Sequence, residues 1–281
     1  MFTPIGFFAS AAGGPLLDVY PNALFAYSVR KLRSDYTGDC MRVYKTTGGT
    51  FQTFGFDSDG YLDVAGIETF LGSSDGYVDI WYDQSGNGND LNIGGTGTRA
   101  KIANSGTVTE LNGGKASMKR VAAVGVSTGV KSRGDKTMIT CAQNNENGGA
   151  TNAARIISNF SGTASIGNDL LMMFYRPNGM RVFDGGGGAI YYPGVRPNEA
   201  AIAGYTKDGG DLLGTYNGQT QASPTSTGNI DSSDFPIYIF DDRGGGNEEN
   251  SDGISEVVVW DNEVYNIGNV ADNLNDFYGL Y

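Results

Sequence analysis

The chain has 281 residues, a formal net charge of −12 and no histidine. Its excess of carboxylates repels a polyphosphate backbone, so we expect no nucleic-acid partner. Without histidine the chain lacks the usual general base near neutral pH and the commonest zinc ligand, which argues against Ser-His-Asp hydrolysis and zinc chemistry. We expect no cofactor and no bound metal.

The amino-acid composition favours β-sheet. With 44 glycines, 16 tyrosines, 14 phenylalanines and 18% charged residues, the chain suits strands joined by many tight turns better than a helical bundle. Its length fits a single all-β domain. We therefore predict an all-β fold, an antiparallel β-sandwich, with one domain over residues 21–281 and an apolar N-terminal arm over residues 1–20.

The N-terminal arm is rich in Phe, Ala and Gly. Its apolar side chains would reduce solubility if they were free. We expect the arm either to pack on its own sandwich or to dock on a neighbouring subunit, and the sequence leaves both alternatives open. No lysine or arginine precedes the apolar run and a proline lies early in it, so we predict no signal peptide and no membrane insertion.

The segment after the arm has the periodicity of a short helix. Asn22 is a suitable N-cap, and Phe25, Val29, Leu32 and Tyr36 follow at spacings of four, three and four residues. Such spacing places the four side chains on one helical face. The pattern predicts a short N-terminal helix within residues 22–36.

Two strands and a second helix come next. Residues 41–45 and 51–56 are predicted strands joined by a Thr-Thr-Gly-Gly turn. Asp63 is the predicted N-cap of the helix that follows, and Gly72 ends it.

Residues 78–91, VDIWYDQSGNGNDL, combine a strand with a polar loop. Alternation predicts Val78, Ile80 and Tyr82 on one face of the strand and Trp81 on the other. The glycines and short polar side chains after the strand favour a compact turn, in which Asp and Asn side chains bond the main chain.

Short apolar runs continue to the end of the chain. Asn217-Gly218 is the strongest hairpin signal, since a type I′ turn requires such a pair. Residues 267–277 have helical spacing and predict a final helix packed on the sandwich. The remaining predicted strands cover residues 107–111, 117–126, 137–142, 155–160, 170–175, 180–183, 189–192, 200–206, 235–240 and 254–260.

The YDQSGNGNDL run resembles a known module. Together with AYSVRKLRSDYTGDCMRVYKTTGGT before it and ISEVVVWD and NLNDFYGLY near the C-terminus, it is similar to a concanavalin A-like or laminin-G-like jelly-roll sandwich of bacteriophage virion proteins. The same run is similar to one in the catalytic sandwich of fungal B-type α-L-arabinofuranosidases. The resemblance covers residues 23–95 best and implies the jelly-roll form of the sandwich.

The likeness to virion proteins implies a non-enzymatic structural protein located in the virion: a tail-fibre or receptor-binding protein, or a capsid decoration protein. Its partners would be other virion proteins and copies of itself. A host-surface glycan is a further expected partner, bound by aromatic rings and by carboxylates and amides on glycine-rich loops. The residues predicted to bind it are Trp81, Asp184, Tyr191, Tyr192, Asp241, Asp242, Arg243 and Asn247.

The arabinofuranosidase likeness implies the alternative function, a glycoside hydrolase that requires two carboxyl groups. Asp242 lies about where the family places its acid. The family's nucleophile segment should fall near residues 155–162, which read RIISNFSG and contain no carboxylate. Glu146 is the one nearby acid that could replace it. Because of this departure from the family pattern, we expect a protein that is not an enzyme.

Two cysteines, Cys40 and Cys141, lie far apart in the sequence. They could form one disulfide, but a sandwich of this size does not need one. Two reduced, buried thiols in strands are the favoured interpretation.

Overall fold

The computed structural model describes residues 14–94, 100–111, 114–119, 126–132, 135–143, 153–158, 171–175, 179–183, 189–193, 199–209, 211–223, 236–240 and 253–281. Within these ranges the helices are α1 (Leu16–Val19), α2 (Val64–Leu71) and α3 (Ile267–Tyr278). The strands are β1 (Phe25–Ser28), β2 (Met41–Lys45), β3 (Thr50–Phe54), β4 (Gly76–Trp81), β5 (Leu91–Asn92), β6 (Ala100–Asn104), β7 (Thr107–Val108), β8 (Met118–Lys119), β9 (Val126–Ser127), β10 (Lys136–Gln143), β11 (Ala153–Ser158), β12 (Leu171–Tyr175), β13 (Gly179–Phe183), β14 (Ala189–Pro193), β15 (Ala200–Asp208), β16 (Asp211–Tyr216), β17 (Gln219–Ser223), β18 (Tyr238–Ile239) and β19 (Gly253–Asp261).

The strands form two antiparallel sheets, which confirms the predicted β-sandwich. The larger sheet has the order β17-β16-β15-β10-β19-β8-β6-β4-β2-β3, with β1 paired to β19, β5 to β4 and β7 to β6. The smaller sheet has the order β14-β13-β12-β11-β18-β9. Among the described strands, eight of the eighteen pairs that are consecutive in sequence are antiparallel neighbours, as expected where short loops join them.

The molecule has two apolar layers. The main core contains side chains of both sheets, among them Ile157 and Val182 of the smaller sheet and Val257 of the larger one. A second cluster lies between α1, α3 and the larger sheet and includes Leu17, Val258 and Leu274. The central strands β10 and β19 are therefore buried on both faces, and β19 contains the apolar run Val257–Trp260. The predicted C-terminal helix is confirmed as α3.

The predicted helix over residues 22–36 is wrong. Phe25–Ser28 is instead strand β1, in which Phe25 pairs with Val259 of β19 and all four residues are buried. Asn22 has a left-handed backbone with φ 62° and caps no helix. Phe25 packs in the main core and its neighbour Ala26 in the second cluster, so burial on both faces outweighs the helical spacing.

Local signals correctly predicted α2, the β2–β3 hairpin and the β16–β17 hairpin. Asp63 caps α2 by accepting a 2.9 Å hydrogen bond from the Gly66 backbone N–H. Gly72 follows the last turn with φ 60°, a conformation that favours glycine. Asn217 and Gly218 both have positive φ, as a type I′ turn between β16 and β17 requires.

Strand β4 departs from the predicted alternation. Val43 of β2 pairs with Val78 and Arg42 pairs with Ile80, so Asp79 is an extra residue on β4. This bulge shifts the phase of the side chains. Trp81 consequently points into the main core and is fully buried, whereas Ile80 is half-buried.

The described part of the N-terminal arm packs on the chain's own sandwich. Leu16 is fully buried and Leu17 is 6% exposed in the second cluster. The Leu17 backbone N–H donates to the Leu32 carbonyl over 2.8 Å. Residues 1–13 lie outside the described part, so docking of that segment on a neighbour stays a prediction.

The two cysteines are free, buried thiols. Cys40 precedes β2 and its Sγ donates to the Ser28 carbonyl, whereas Cys141 lies in β10 within the second cluster. Burial raises the pKa of both thiols. Each therefore acts as a small core side chain.

An ion pair is buried between the larger sheet and α3. Arg30 donates to both carboxylate oxygens of Glu256, over 2.8 Å from Nε and 3.0 Å from Nη2. Ser28 and Tyr278 donate their hydroxyls to Glu256 over 2.7 Å and 3.1 Å, and Arg30 also donates to Asn273. Burial lowers the pKa of Arg30, but the Glu256 carboxylate outweighs burial and raises it.

Lys136, at the start of β10, is fully buried. Its ammonium contacts the Ser132 hydroxyl over 2.7 Å, and that hydroxyl donates to Asp261 over 2.5 Å. Burial lowers the pKa of Lys136 from 10.5 to about 8, against the attraction of Asp261, while Lys207 lowers it further. The fold therefore binds this proton more weakly than the unfolded chain does.

We expect Lys136→Met to stabilise the protein near pH 7 by about 1–3 kcal/mol, because a pKa difference of this size corresponds to about 3 kcal/mol and the Ser132 hydrogen bond is lost. Between pH 8 and pH 10.5 the unfolded lysine keeps its proton while the folded one releases it, so native stability rises with pH. The advantage of the variant should shrink from pH 7 to pH 9.5 in urea unfolding of both proteins. An equal advantage at the two pH values contradicts the prediction.

Candidate functional site

Side chains of the YDQSGNG loop form hydrogen bonds with the main chain, as its turn-forming residues predicted. The Asp83 carboxylate accepts hydrogen bonds from the backbone N–H groups of Ala26, Ser85 and Asn89 at 2.8–3.0 Å, and from the Ser85 hydroxyl at 2.6 Å. Asp90 in turn accepts from the Asp83 N–H over 2.9 Å. Asp83 is only 5% exposed. Its hydrogen bonds hold the loop in shape and attach it to the adjacent strand β1.

Amide side chains of the same loop hold residues 23–32. Gln84 is fully buried, accepts from the Leu32 N–H and donates to the Ser28 and Arg30 carbonyls. Asn87 and Asn89 donate to carbonyls of residues 23 and 24 over 2.8 Å. Residues 23–32 have irregular backbone on both sides of β1. Side chains of the loop supply the hydrogen bonds that a regular helix or sheet would otherwise give to their N–H and C=O groups.

Two of the predicted glycan-binding residues are core side chains. Trp81 is fully buried, lies 5.6 Å from the Tyr27 ring and donates its indole N–H to the Ser28 carbonyl. Tyr192 is 4% exposed and stacks on Tyr216 at 5.8 Å. Neither ring presents a free face to a sugar. The bulge in β4 turns Trp81 into the main core, and Tyr192 is buried in the same core.

The other predicted binding residues lie outside the described side chains. Tyr191 belongs to β14, whereas Asp184, Asp241, Asp242, Arg243 and Asn247 fall in undescribed segments. The strands before these segments run in opposite directions. β13 ends beside the end of β11, while β18 runs from the end of β11 towards its start. Strands β13 and β18, which precede these segments, therefore end at opposite ends of the smaller sheet.

Two connections between the sheets begin and end on neighbouring strands. Residues 144–152 join β10 to β11, and residues 241–252 join β18 to β19. On the larger sheet Gln143 pairs directly with Gly253, and on the smaller sheet β11 pairs with β18. Antiparallel pairing places Gln143 and Gly253 about 5 Å apart. On the smaller sheet Ile239 of β18 pairs with Ile157, four residues after the start of β11 at Ala153. The first connection contains Glu146 and the second contains Asp242.

The pairing of the flanking strands relates the two segments that contain Glu146 and Asp242. Glu146 and Asp242 are 96 positions apart, and sequence spacing alone relates neither to the other. The signal that connects them is the pairing of the strands that precede and follow their segments. Among the described residues there is no group of three or more His, Cys, Asp or Glu side chains that could hold a metal ion.

Within the described ranges no helix is both long and apolar enough to cross a membrane.

Comparison with solved structures reveals a shared fold. A mutant GH54 α-L-arabinofuranosidase soaked with 4-nitrophenyl α-L-arabinofuranoside has a TM-score of 0.65 and 15% identity to this chain. An arabinofuranosidase complexed with arabinofuranosyl-α-1,2-xylobiose has a TM-score of 0.59 and 15% identity. Each likeness covers 92% of this chain and 63% of the other. No family model and no curated protein sequence matches the chain.

These structures correct one prediction. The arabinofuranosidases named above, which share this fold, are glycoside hydrolases. The expectation of a protein that is not an enzyme is therefore wrong. The predicted place in a phage particle, with virion proteins as partners, stays a prediction that depends on the sequence resemblance.

Proposed function

We propose that this chain is a glycoside hydrolase of the arabinofuranosidase type. The connections at residues 144–152 and 241–252 carry the proposal. They contain Glu146 and Asp242, and their flanking residues Gln143 and Gly253 are paired in a sandwich that is similar to arabinofuranosidase structures. The proteins of that fold named above are longer than this chain, which spans 63% of their length. We assign the acid role to Asp242 and the nucleophile role to Glu146.

The proposed chemistry sets a distance requirement. Retaining glycosidases need carboxyl groups about 5–5.5 Å apart, so the proposal requires Glu146 and Asp242 to lie at that separation. Neither role requires histidine, since a pair of carboxyl groups in different environments can divide acid and nucleophile functions between them. The lack of histidine, which argues against triad chemistry, is consistent with this reaction.

In the proposed reaction the Asp242 carboxyl protonates the glycosidic oxygen as the bond to the anomeric carbon breaks. The Glu146 carboxylate attacks that carbon from the opposite face and forms a glycosyl ester. Asp242, now deprotonated, removes a proton from water, which displaces Glu146 and releases the sugar with its original configuration. Both carboxyl groups return to their starting protonation states.

The test is hydrolysis of 4-nitrophenyl α-L-arabinofuranoside and of an arabinosyl xylo-oligosaccharide by the full chain. We expect turnover by the wild type and a loss of about 10²–10⁴-fold in kcat/KM in Asp242→Asn with a sugar leaving group, the usual contribution of a general acid. Asp59→Asn is the matched control, since Asp59 is exposed in a turn after β3. No turnover by the wild type, or equal rates in the two variants, would refute the proposal.

A further inference from the structure

A polar groove lies beside the YDQSGNG loop, in a part of the molecule that the proposed reaction does not use. Its volume is about 460 Å³. The polar lining includes Asp18 of α1, Arg33, Asp35, Ser85 and Asn87. A groove of this volume falls within the range of small-molecule sites.

The polar side chains of the groove are held in place before any ligand arrives. Arg33 donates to both carboxylate oxygens of Asp35, over 2.9 Å and 2.8 Å, and to the Ser85 carbonyl over 3.1 Å. Asp18 accepts from the Ser34 N–H, and Asn87 is fixed by its bonds to residues 23 and 24. Fixed side chains lose little conformational entropy when a ligand binds.

The same side chains keep hydrogen-bonding capacity. A guanidinium has five N–H donors, and three of those on Arg33 are used within the described part of the chain. Asp35 and Asp18 are exposed carboxylates with lone pairs that face solvent. The groove therefore offers both donors and acceptors, which suits the hydroxyl groups of a sugar, since each hydroxyl is both donor and acceptor.

The charge of the groove selects a neutral ligand. Two carboxylates and one guanidinium give the lining a formal charge of −1, on a chain whose net charge is −12. An anionic ligand is repelled by both. Pro21 and the buried Leu17 and Ala23 add a small apolar surface that suits the C–H face of a sugar ring.

We propose that this groove is a second carbohydrate site, which binds a neutral sugar unit without cleaving it. The choice of arabinose and xylose as ligands rests on the proposed function, but binding in the groove does not depend on turnover. A sugar unit held here would anchor a polysaccharide while another part of the chain reacts, which raises the effective concentration of substrate.

The test is NMR titration of the full-length Asp242→Asn protein, in which turnover is suppressed. The probes are methyl α-L-arabinofuranoside, methyl β-D-xylopyranoside and D-glucuronate. The reporters are the side-chain amide of Asn87 and the backbone amide of Ser34, which are local to the groove. We expect saturable shifts of both signals with at least one neutral probe, and an affinity for glucuronate weaker by about tenfold or more.

Two variants and a control make the result specific. Ser34→Trp places an indole in the groove and Asp35→Ala removes an exposed acceptor; each should weaken binding by about tenfold or more. Thr47→Trp, in an exposed turn, should bind as the parent does. No saturable shift with either neutral probe, unchanged affinity in Ser34→Trp, or tighter binding of glucuronate would overturn the proposal. Binding without turnover by the wild type would leave this site standing and refute the proposed hydrolase function instead.

Discussion

Replacing Glu146 by Ala is expected to lower hydrolysis of 4-nitrophenyl α-L-arabinofuranoside by about 10⁴-fold or more, the usual cost of removing a nucleophile. The loss should exceed that of an acid variant on this substrate, because 4-nitrophenolate is a good leaving group and needs little protonation. Steady-state kinetics with this substrate and with an arabinosyl xylo-oligosaccharide measure the difference. Glu110→Ala is the matched control, since Glu110 is exposed and lies outside both connections.

Azide separates the two roles. In Glu146→Ala the small anion can attack the anomeric carbon in place of the carboxylate and should yield the arabinosyl azide of inverted configuration. In Asp242→Ala azide should intercept the glycosyl ester and yield the azide of retained configuration. The opposite pair of products would exchange the two assignments. A Glu146→Ala protein as active as Glu110→Ala would remove Glu146 from the reaction.

The sequence predicted those elements whose signals are local. The Asp63 cap and the Asn217-Gly218 turn depend on hydrogen bonds and backbone angles within a few residues, so neither needs knowledge of the rest of the fold. Short apolar or alternating runs likewise predicted strands at residues 137–142 and 254–260, which are parts of β10 and β19. All of these predictions agree with the structure.

Residues 25–36 show where local reasoning fails. Phe25, Val29 and Leu32 have helical spacing, but they are buried through contacts with β19, Gln84 and Leu17, all distant in sequence. A spacing pattern reports which side chains avoid water and not which partner covers them. The bulge at Asp79 is a second case, since one extra residue reverses the faces of Ile80 and Trp81 without any local signature.

The candidate sites were harder still to predict. The turn-forming character of Asp83 and Asn87 was readable from residue type, but their bonds to residues 23–26 join segments about 60 positions apart. Strand pairing relates the segments that contain Glu146 and Asp242. Chain packing forms the groove between α1 and the YDQSGNG loop. Residue type identified the loops of interest, while only topology related one loop to another.

The buried ion pair gives the largest stability prediction. Arg30→Met is expected to lower the free energy of unfolding by about 3–5 kcal/mol, because it leaves the fully buried Glu256 carboxylate without its cation. The Ser28 and Tyr278 hydroxyls still donate to that carboxylate, but neutral donors compensate a charge only in part. Urea unfolding of the wild type and the variant at pH 7 measures the cost.

A double variant shows whether the cost comes from an unpaired charge or from lost packing. Arg30 also lies over the Phe277 ring at 5.3 Å, so Met at this position keeps an apolar contact with α3. In Arg30→Met/Glu256→Gln no charge remains buried, and the amide can still accept from Ser28 and Tyr278. We expect the double variant to be more stable than Arg30→Met alone, by about 1–3 kcal/mol. If the free energy of unfolding of the double variant falls by the sum of the losses in Arg30→Met and Glu256→Gln, then shape, and not charge, makes this site sensitive.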